Sequence, residues 1–167
     1  MARKTRKEKT VRQESAETLP VSPTEISKKT ILKAVLGILA VTFVVLHPAL
    51  TNSFVLWDDP EYTFENPLLK DFSFAKVFAL STYYMGNYHP LTILWLHWEE
   101  VLFPKGDPSV FNGFSPFWFH LNNLILHLLN TALVFYVIYE LLDKKGWKTA
   151  GVTALLFGIH PMHVESV

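Results

Sequence analysis

Apolar residues run without a charged side chain from Ala34 to Leu46 and again from Trp118 to Tyr139. About 20 helical residues cross a hydrocarbon core of roughly 30 Å. The pattern therefore predicts membrane spans over 31–50, with Lys33 snorkelling to one edge, and over 118–142. A third apolar stretch opens at Thr149 and meets His160-Pro161 after about a dozen residues, roughly 18 Å of helix, too short to cross. Either the helix continues past Pro161 with a kink, giving a span over 149–167, or the His-Pro motif sits recessed below the surface. Because the sequence stops at Val167 within that stretch, the chain is expected to be the N-terminal part of a longer protein or a truncated product. The predicted fold class is an all-α membrane protein, a helical bundle with about three transmembrane helices and an outer loop carrying amphipathic helices.

That loop, 51–117, is too long and too aromatic to be a simple connector. Phe74, Val77 and Phe78 follow a plausible Ser73 cap at helical spacing, and Leu91, Leu94, Trp95, Trp98 and Leu102 form a second stripe with Glu99 on the opposite face. Such a helix suits a membrane interface or a protein surface, and the pattern does not separate the two.

Charge adds sidedness. The net charge is zero, yet nine of the fifteen Lys and Arg lie in the first 33 residues. Lys144, Lys145 and Lys148 follow the second span, whereas the long loop holds only Lys70, Lys76 and Lys105. Both ends obey the positive-inside rule. The prediction is a multi-pass protein of the cell inner (plasma) membrane, with its N-terminus cytoplasmic and its acidic loop extracytoplasmic. Residues 1–29 are polar and broken by Pro20 and Pro23, too poor in apolar surface to order themselves. Their basic run, Arg3 to Lys9, reads as a topogenic tail rather than a nucleic-acid site. The apolar stretch starts too far from Met1 for a cleaved signal peptide. The lack of cysteine excludes disulfides and cysteine-based zinc sites.

Four places can carry chemistry. Asp58 and Asp59, in FVLWDDPEYTFENP, are two carboxylates just past a span. Pro60 is expected to keep Asp59 extended, which would aim the pair in opposite directions. One can act as a base or hold a metal while the other caps or orients, and a solvated turn before a helix is the plain alternative. His160, His163 and Glu165 offer metal ligands or acid-base groups, set against a capped helix end. His120, Asn123, His127 and Asn130 are spaced three, four and three apart, so one helix face should look into a bundle or a wet cavity. Interhelical hydrogen bonding suffices for His127 and Asn130, while His120, nearest the outer side, is the better placed to reach a site. In Gly86-Asn87-Tyr88-His89-Pro90 a turn meets a helix-starting proline, and His89 can offer charge to a phosphate.

Taken together, DDPEYTFENP, GNYHPLT, FHLNNLILHLLN and LLFGIHPMHVESV, in this order, make the stretch from Phe54 to Val167 resemble the membrane part of the transmembrane-and-tetratricopeptide-repeat proteins related to protein O-mannosyltransferases, and GNYHPLT resembles their bacterial branch. The resemblance implies a GT-C glycosyltransferase-like helical bundle. Such enzymes move a hexose, mannose in this family, from a polyprenyl-phosphate sugar donor in the membrane lipid to a protein acceptor hydroxyl at the outer face. It maps the acidic loop motif onto Asp58 and Asp59, and the His-Pro-x-His-x-Glu motif onto His160, Pro161, His163 and Glu165. Asp58 or Asp59 is then the expected base, with Tyr88, His89, His120, His160, His163 and Glu165 around the donor phosphate or substrate. A divalent metal is compatible with that chemistry but not required by it. The resemblance also implies that the 167 residues alone lack most of the enzyme. A non-catalytic scaffold presenting repeats to protein partners is the alternative. A transporter ranks third, because it would need paired broken helices near the midplane.

Overall fold

The computed structural model describes residues 26–55, 57–103, 105–107 and 111–166, with side chains as far as His163. The predicted disordered tail, 1–29, falls almost wholly outside the described residues.

Ser27 opens the first helix, α1 (Lys28–Leu46), its side chain accepting from the Lys29 amide. The helix runs into a 3-10 turn, His47–Thr51, where Pro48 ends the regular ladder. After four short helical pieces comes α6 (Pro116–Leu141), with Pro116 in the first turn, where its missing N–H costs nothing. At 26 residues α6 is about 39 Å long. Among the described residues, two helices are long and apolar enough to cross a membrane: 28–51, with mean hydropathy 2.1, and Pro116–Leu141, with 1.7. By length and composition both helices suit a membrane protein. The predicted spans at 31–50 and 118–142 correspond to these two helices.

The third predicted span differs. Helix α7 (Trp147–Gly158) stops after 12 residues, and Pro161–Ser166 form a 3-10 turn. Pro161 has no N–H to continue the ladder, so α7 does not run on as a spanning helix.

Helices α1, α6 and α7 pack around Phe135, with Ile31, Val35, Ala150 and Ala154 buried against it. Ala150, Ala154 and Gly158 recur every four residues and are all buried, a small-residue stripe that lets backbones approach closely. A Cβ on Gly158 would stand 2.4 Å from Thr42 Oγ1 and 3.1 Å from Thr131 Cγ2. The outward sides stay apolar, with Leu129, Leu133, Val137 and Leu141 exposed in line along α6.

The segment between the two long helices, called the outer segment after its predicted side, builds its own small core. Helices α2 (Asp59–Tyr62), α3 (Pro67–Lys70) and α4 (Phe74–Val77) are one turn each, and α5 (Pro90–Leu102) lies across them. Leu68, Leu69, Val77 and Ile93 meet there. Asn66 is fully buried at the joint. Its Oδ1 accepts from the Leu68 amide at 2.9 Å and its Nδ2 donates to the Tyr62 carbonyl. Between α4 and α5 the chain reverses at Met85-Gly86, both at positive φ (48° and 79°), as a tight turn of that handedness requires. Gly86 supplies the second of these at no steric cost.

Candidate functional site

The acidic pair stands at the start of α2. Asp58 is the cap residue, with helical φ −102° and ψ −22°, and Asp59 is the first helical residue. The extended conformation expected before Pro60 is therefore not adopted. The pre-proline clash is offset by three hydrogen bonds: the Tyr62 amide donates to the Asp58 carbonyl, the Thr63 amide to the Asp59 carbonyl, and the Val55 amide to Asp59 Oδ2 at 2.7 Å. The two carboxylates are consequently unequal. Asp59 is half-buried and ties the incoming chain to the helix, whereas Asp58 is exposed.

Tyr62 links this helix to the second motif. Its ring meets Tyr84 edge-on at 6.1 Å and lies 5.6 Å from the His89 ring. The Tyr84 hydroxyl donates to the Glu61 carbonyl. Burial, and then the Glu61 carboxylate, push that hydroxyl above its ordinary pKa, so it remains a donor at neutral pH. His89 is half-buried just before Pro90, and its Nε2 has no hydrogen-bond partner. Tyr88 is exposed, its hydroxyl donating to the Phe78 carbonyl. The Tyr62 ring thus sets the helix that carries Asp58 and Asp59 beside His89.

The histidines at the other end of the sequence form a separate group. His163 Nδ1 lies 2.8 Å from the Phe157 carbonyl, and His127 Nε2 lies 2.9 Å from the Gly158 carbonyl. A carbonyl only accepts, so both nitrogens carry protons. The His127 bond satisfies the last carbonyl of α7 from α6, and the Phe157 carbonyl accepts from His163 as well as from the His160 amide. His160 Nδ1 accepts from the Met162 amide, and its ring is 5.6 Å from that of His163. The Glu165 side chain lies outside the described residues. Among the described residues, no hydrogen bond, ion pair or ring contact joins this group to the Asp58–His89 cluster, and no three His, Asp or Glu side chains are arranged to hold a metal.

The polar stripe of α6 splits. His127 is buried and bonded across to α7, as interhelical hydrogen bonding predicts, and His120 is half-buried, but Asn123 and Asn130 are exposed. At about 100° per residue the stripe is centred roughly 80° from the buried arc of Leu124, Thr131 and Phe135, and Asn123 and Asn130 lie on its far side.

Glu99 was missed. It was expected on a polar, outward face, but it is only 4 % exposed. Trp95 Nε1 donates to its Oε1 at 2.9 Å. Burial pushes its carboxyl up to about 7, against the opposing pull of the Asn122 amide and Trp95. The apolar stripe is what α5 exposes, with Leu91, Trp95, Trp98 and Leu102 all open. The stripe alone gave no signal for this, because an amphipathic helix can turn either side onto protein. The neighbouring cavity, between Glu99 and Trp118, measures about 10 Å³, room for one water but not a sugar.

The chain is similar to protein O-mannosyl-transferases. It is 47% identical over 84 residues to protein O-mannosyl-transferase TMTC1 of Homo sapiens, covering 48% of this chain and 8% of that protein. The Mus musculus TMTC1 matches at the same identity and coverage. Protein O-mannosyl-transferase Tmtc2 of Drosophila melanogaster is 35% identical over 82 residues, 49% of this chain and 8% of that protein. The chain thus spans a small part of the length of these relatives. No family model matches, and no solved structure matches.

Proposed function

We propose that this chain is the N-terminal membrane portion of a GT-C-like glycosyltransferase that moves a hexose, mannose by analogy, from a polyprenyl-phosphate donor to a protein hydroxyl. The observation that carries this is the 47% identity over 84 residues to a protein O-mannosyl-transferase. Helices 28–51 and 116–141 cross the inner membrane, and 143–148 lie on the cytoplasmic side with the basic tail. Residues 51–117 face outward.

Asp58 is the base. It is exposed and its carboxylate is not tied to the backbone, whereas Asp59 is held by the Val55 amide. As the acceptor oxygen attacks the anomeric carbon, its proton passes to the Asp58 carboxylate, the bond from that carbon to the phosphate oxygen breaks, and the lipid phosphate leaves. Asp59 is a positioning residue that fixes the first turn of α2. His89, whose Nε2 is buried without a partner, is the donor to the developing phosphate charge, and Tyr88 and His120 are further ligand groups. His160, His163 and Glu165 complete the phosphate side. His163 already gives Nδ1 to a backbone carbonyl, so its Nε2 serves the ligand.

Asp58→Asn and Asp59→Asn in the full-length protein, assayed with polyprenyl-phosphate mannose and a peptide acceptor, test this reading. Losing a general base costs about 10²–10⁴ in rate. Asp58→Asn should lose that factor in kcat with unchanged thermal stability. Asp59→Asn should lose less activity and also lower the Tm. Normal transfer by both variants would remove the acid-base role.

A further inference from the structure

At the end of α6 remote from Asp58, the start of α1 and the end of α6 enclose a cavity of about 840 Å³. That lies within the roughly 300–1,000 Å³ typical of ligand pockets. Its walls are apolar and aromatic: Ile31 and Leu32 from α1, Tyr136 and Tyr139 from α6. Its rim is charged, with Lys28, Lys144 and Lys145 against Glu140 and Asp143. Lys144 is paired with Glu140 at 3.2 Å, both more than 60% exposed. Among the described residues, Lys28 and Lys145 pair with no carboxylate.

With three lysines against two carboxylates, one of these already paired, the rim is net positive and suits an anion. The positive end of a helix disfavours cations, yet α1 begins with Lys28 and Lys29 and has no acidic residue in its first turn. Lysines over an apolar wall with two tyrosines match the layered chemistry of a phospholipid at the membrane interface, where tyrosine sits at headgroup depth.

We propose that this cavity binds an anionic phospholipid, its phosphate between Lys28 and Lys145 and an acyl chain along Ile31, Leu32 and Tyr136. The proposal rests on the reading that α1 and α6 span the membrane, but not on the transferase chemistry.

The test uses the full-length protein equilibrated with vesicles of equal phosphatidylglycerol and phosphatidylcholine, with retained lipid identified by native mass spectrometry. Phosphatidylglycerol should be retained preferentially. Lys28→Gln with Lys145→Gln should lower that preference roughly fivefold per lysine, and Lys70→Gln with Lys76→Gln should leave it unchanged. Equal retention of the two lipids, or an equal loss in the outer-loop variant, overturns the proposal. So does displacement of the lipid by inorganic phosphate, which would mark a site for a free anion. Leu32→Cys in a cysteine-free background gives a further arm. Thiol labelling that is fast without lipid and slowed by phosphatidylglycerol supports the site, whereas protection without lipid shows that polypeptide fills the cavity. None of these readouts measures transfer, so loss of activity in Asp58→Asn and loss of lipid preference remain separate results.

Discussion

The α1–α6–α7 unit and the outer segment solve opposite problems. In the first, nearly all side chains are apolar, so packing is decided by how closely backbones approach, and two buried polar groups bond to backbone, His127 to the Gly158 carbonyl and Thr131 to the His127 carbonyl, while the buried Thr42 hydroxyl has no partner. In the second, helices of a single turn cannot hold themselves. Side chains fasten them instead: Asn66 at both its ends, Asp59 to Val55, Tyr84 to Glu61. The contrast teaches where function can sit. The bundle is a frame, while the outer segment holds a buried imidazole nitrogen without a partner and an exposed carboxylate.

The largest expected effect breaks the frame. Gly158→Val places methyls where Thr42 Oγ1 already stands 2.4 Å from an added Cβ. Because Thr42 and Thr131 are fully buried, the clash has no outlet, and the cost should reach about 3 kcal/mol. It should appear as a lower Tm in detergent. Gly158→Ala paired with Thr42→Ala should recover most of the loss, which distinguishes a local clash from a general intolerance of α7.

Next is Glu99, the charge that the outer segment buries. Its folded pKa of about 7 lies above the ordinary 4.5. The folded state therefore binds the proton more tightly, so this contribution to stability is full below pH 4.5 and is lost as pH rises to about 7. The shift corresponds to at most about 3 kcal/mol. Glu99→Gln, which mimics the protonated form, should gain little at pH 4 and progressively more in Tm up to pH 8. A pH-independent difference would mean the carboxyl is hydrated in solution.

The two long helices were legible in the sequence because uncharged runs follow directly from the cost of charge in hydrocarbon. Helix α7 was legible in length, and its stop at Pro161 was one of two open continuations. What escaped was local. Backbone rules put Asp59 in an extended conformation, but the carboxylate's own bond to Val55 selected the helix. Glu99 escaped because the rule that polar faces look outward assumes water outside. The small-residue stripe Ala150, Ala154 and Gly158 was present as letters but needed the facing Thr42 and Thr131 to acquire meaning. The grouping of Asp58 with His89 depends on Tyr62, whose ring no motif singled out.

Smaller effects sharpen the description of the outer segment. Asn66→Ala removes a buried cap and two hydrogen bonds, leaving the Leu68 amide and Tyr62 carbonyl without those partners. The loss should be about 2 kcal/mol, seen as faster proteolysis or amide exchange within 59–70 ahead of global unfolding.

Tyr84→Phe is the finest probe, because it keeps the ring against Tyr62 and deletes only the donor to the Glu61 carbonyl. A neutral hydrogen bond of this kind contributes about 1 kcal/mol, so local opening of α2 should rise roughly fivefold in amide exchange. The Tm of the bundle should not move, since none of α1, α6 or α7 contributes to this bond. If transfer also falls by a similar factor with unchanged donor affinity, the acidic helix must be held closed for the proton to leave the acceptor. If exchange and Tm shift together instead, the outer segment unfolds with the bundle, and the division between frame and site is one of chemistry rather than of stability.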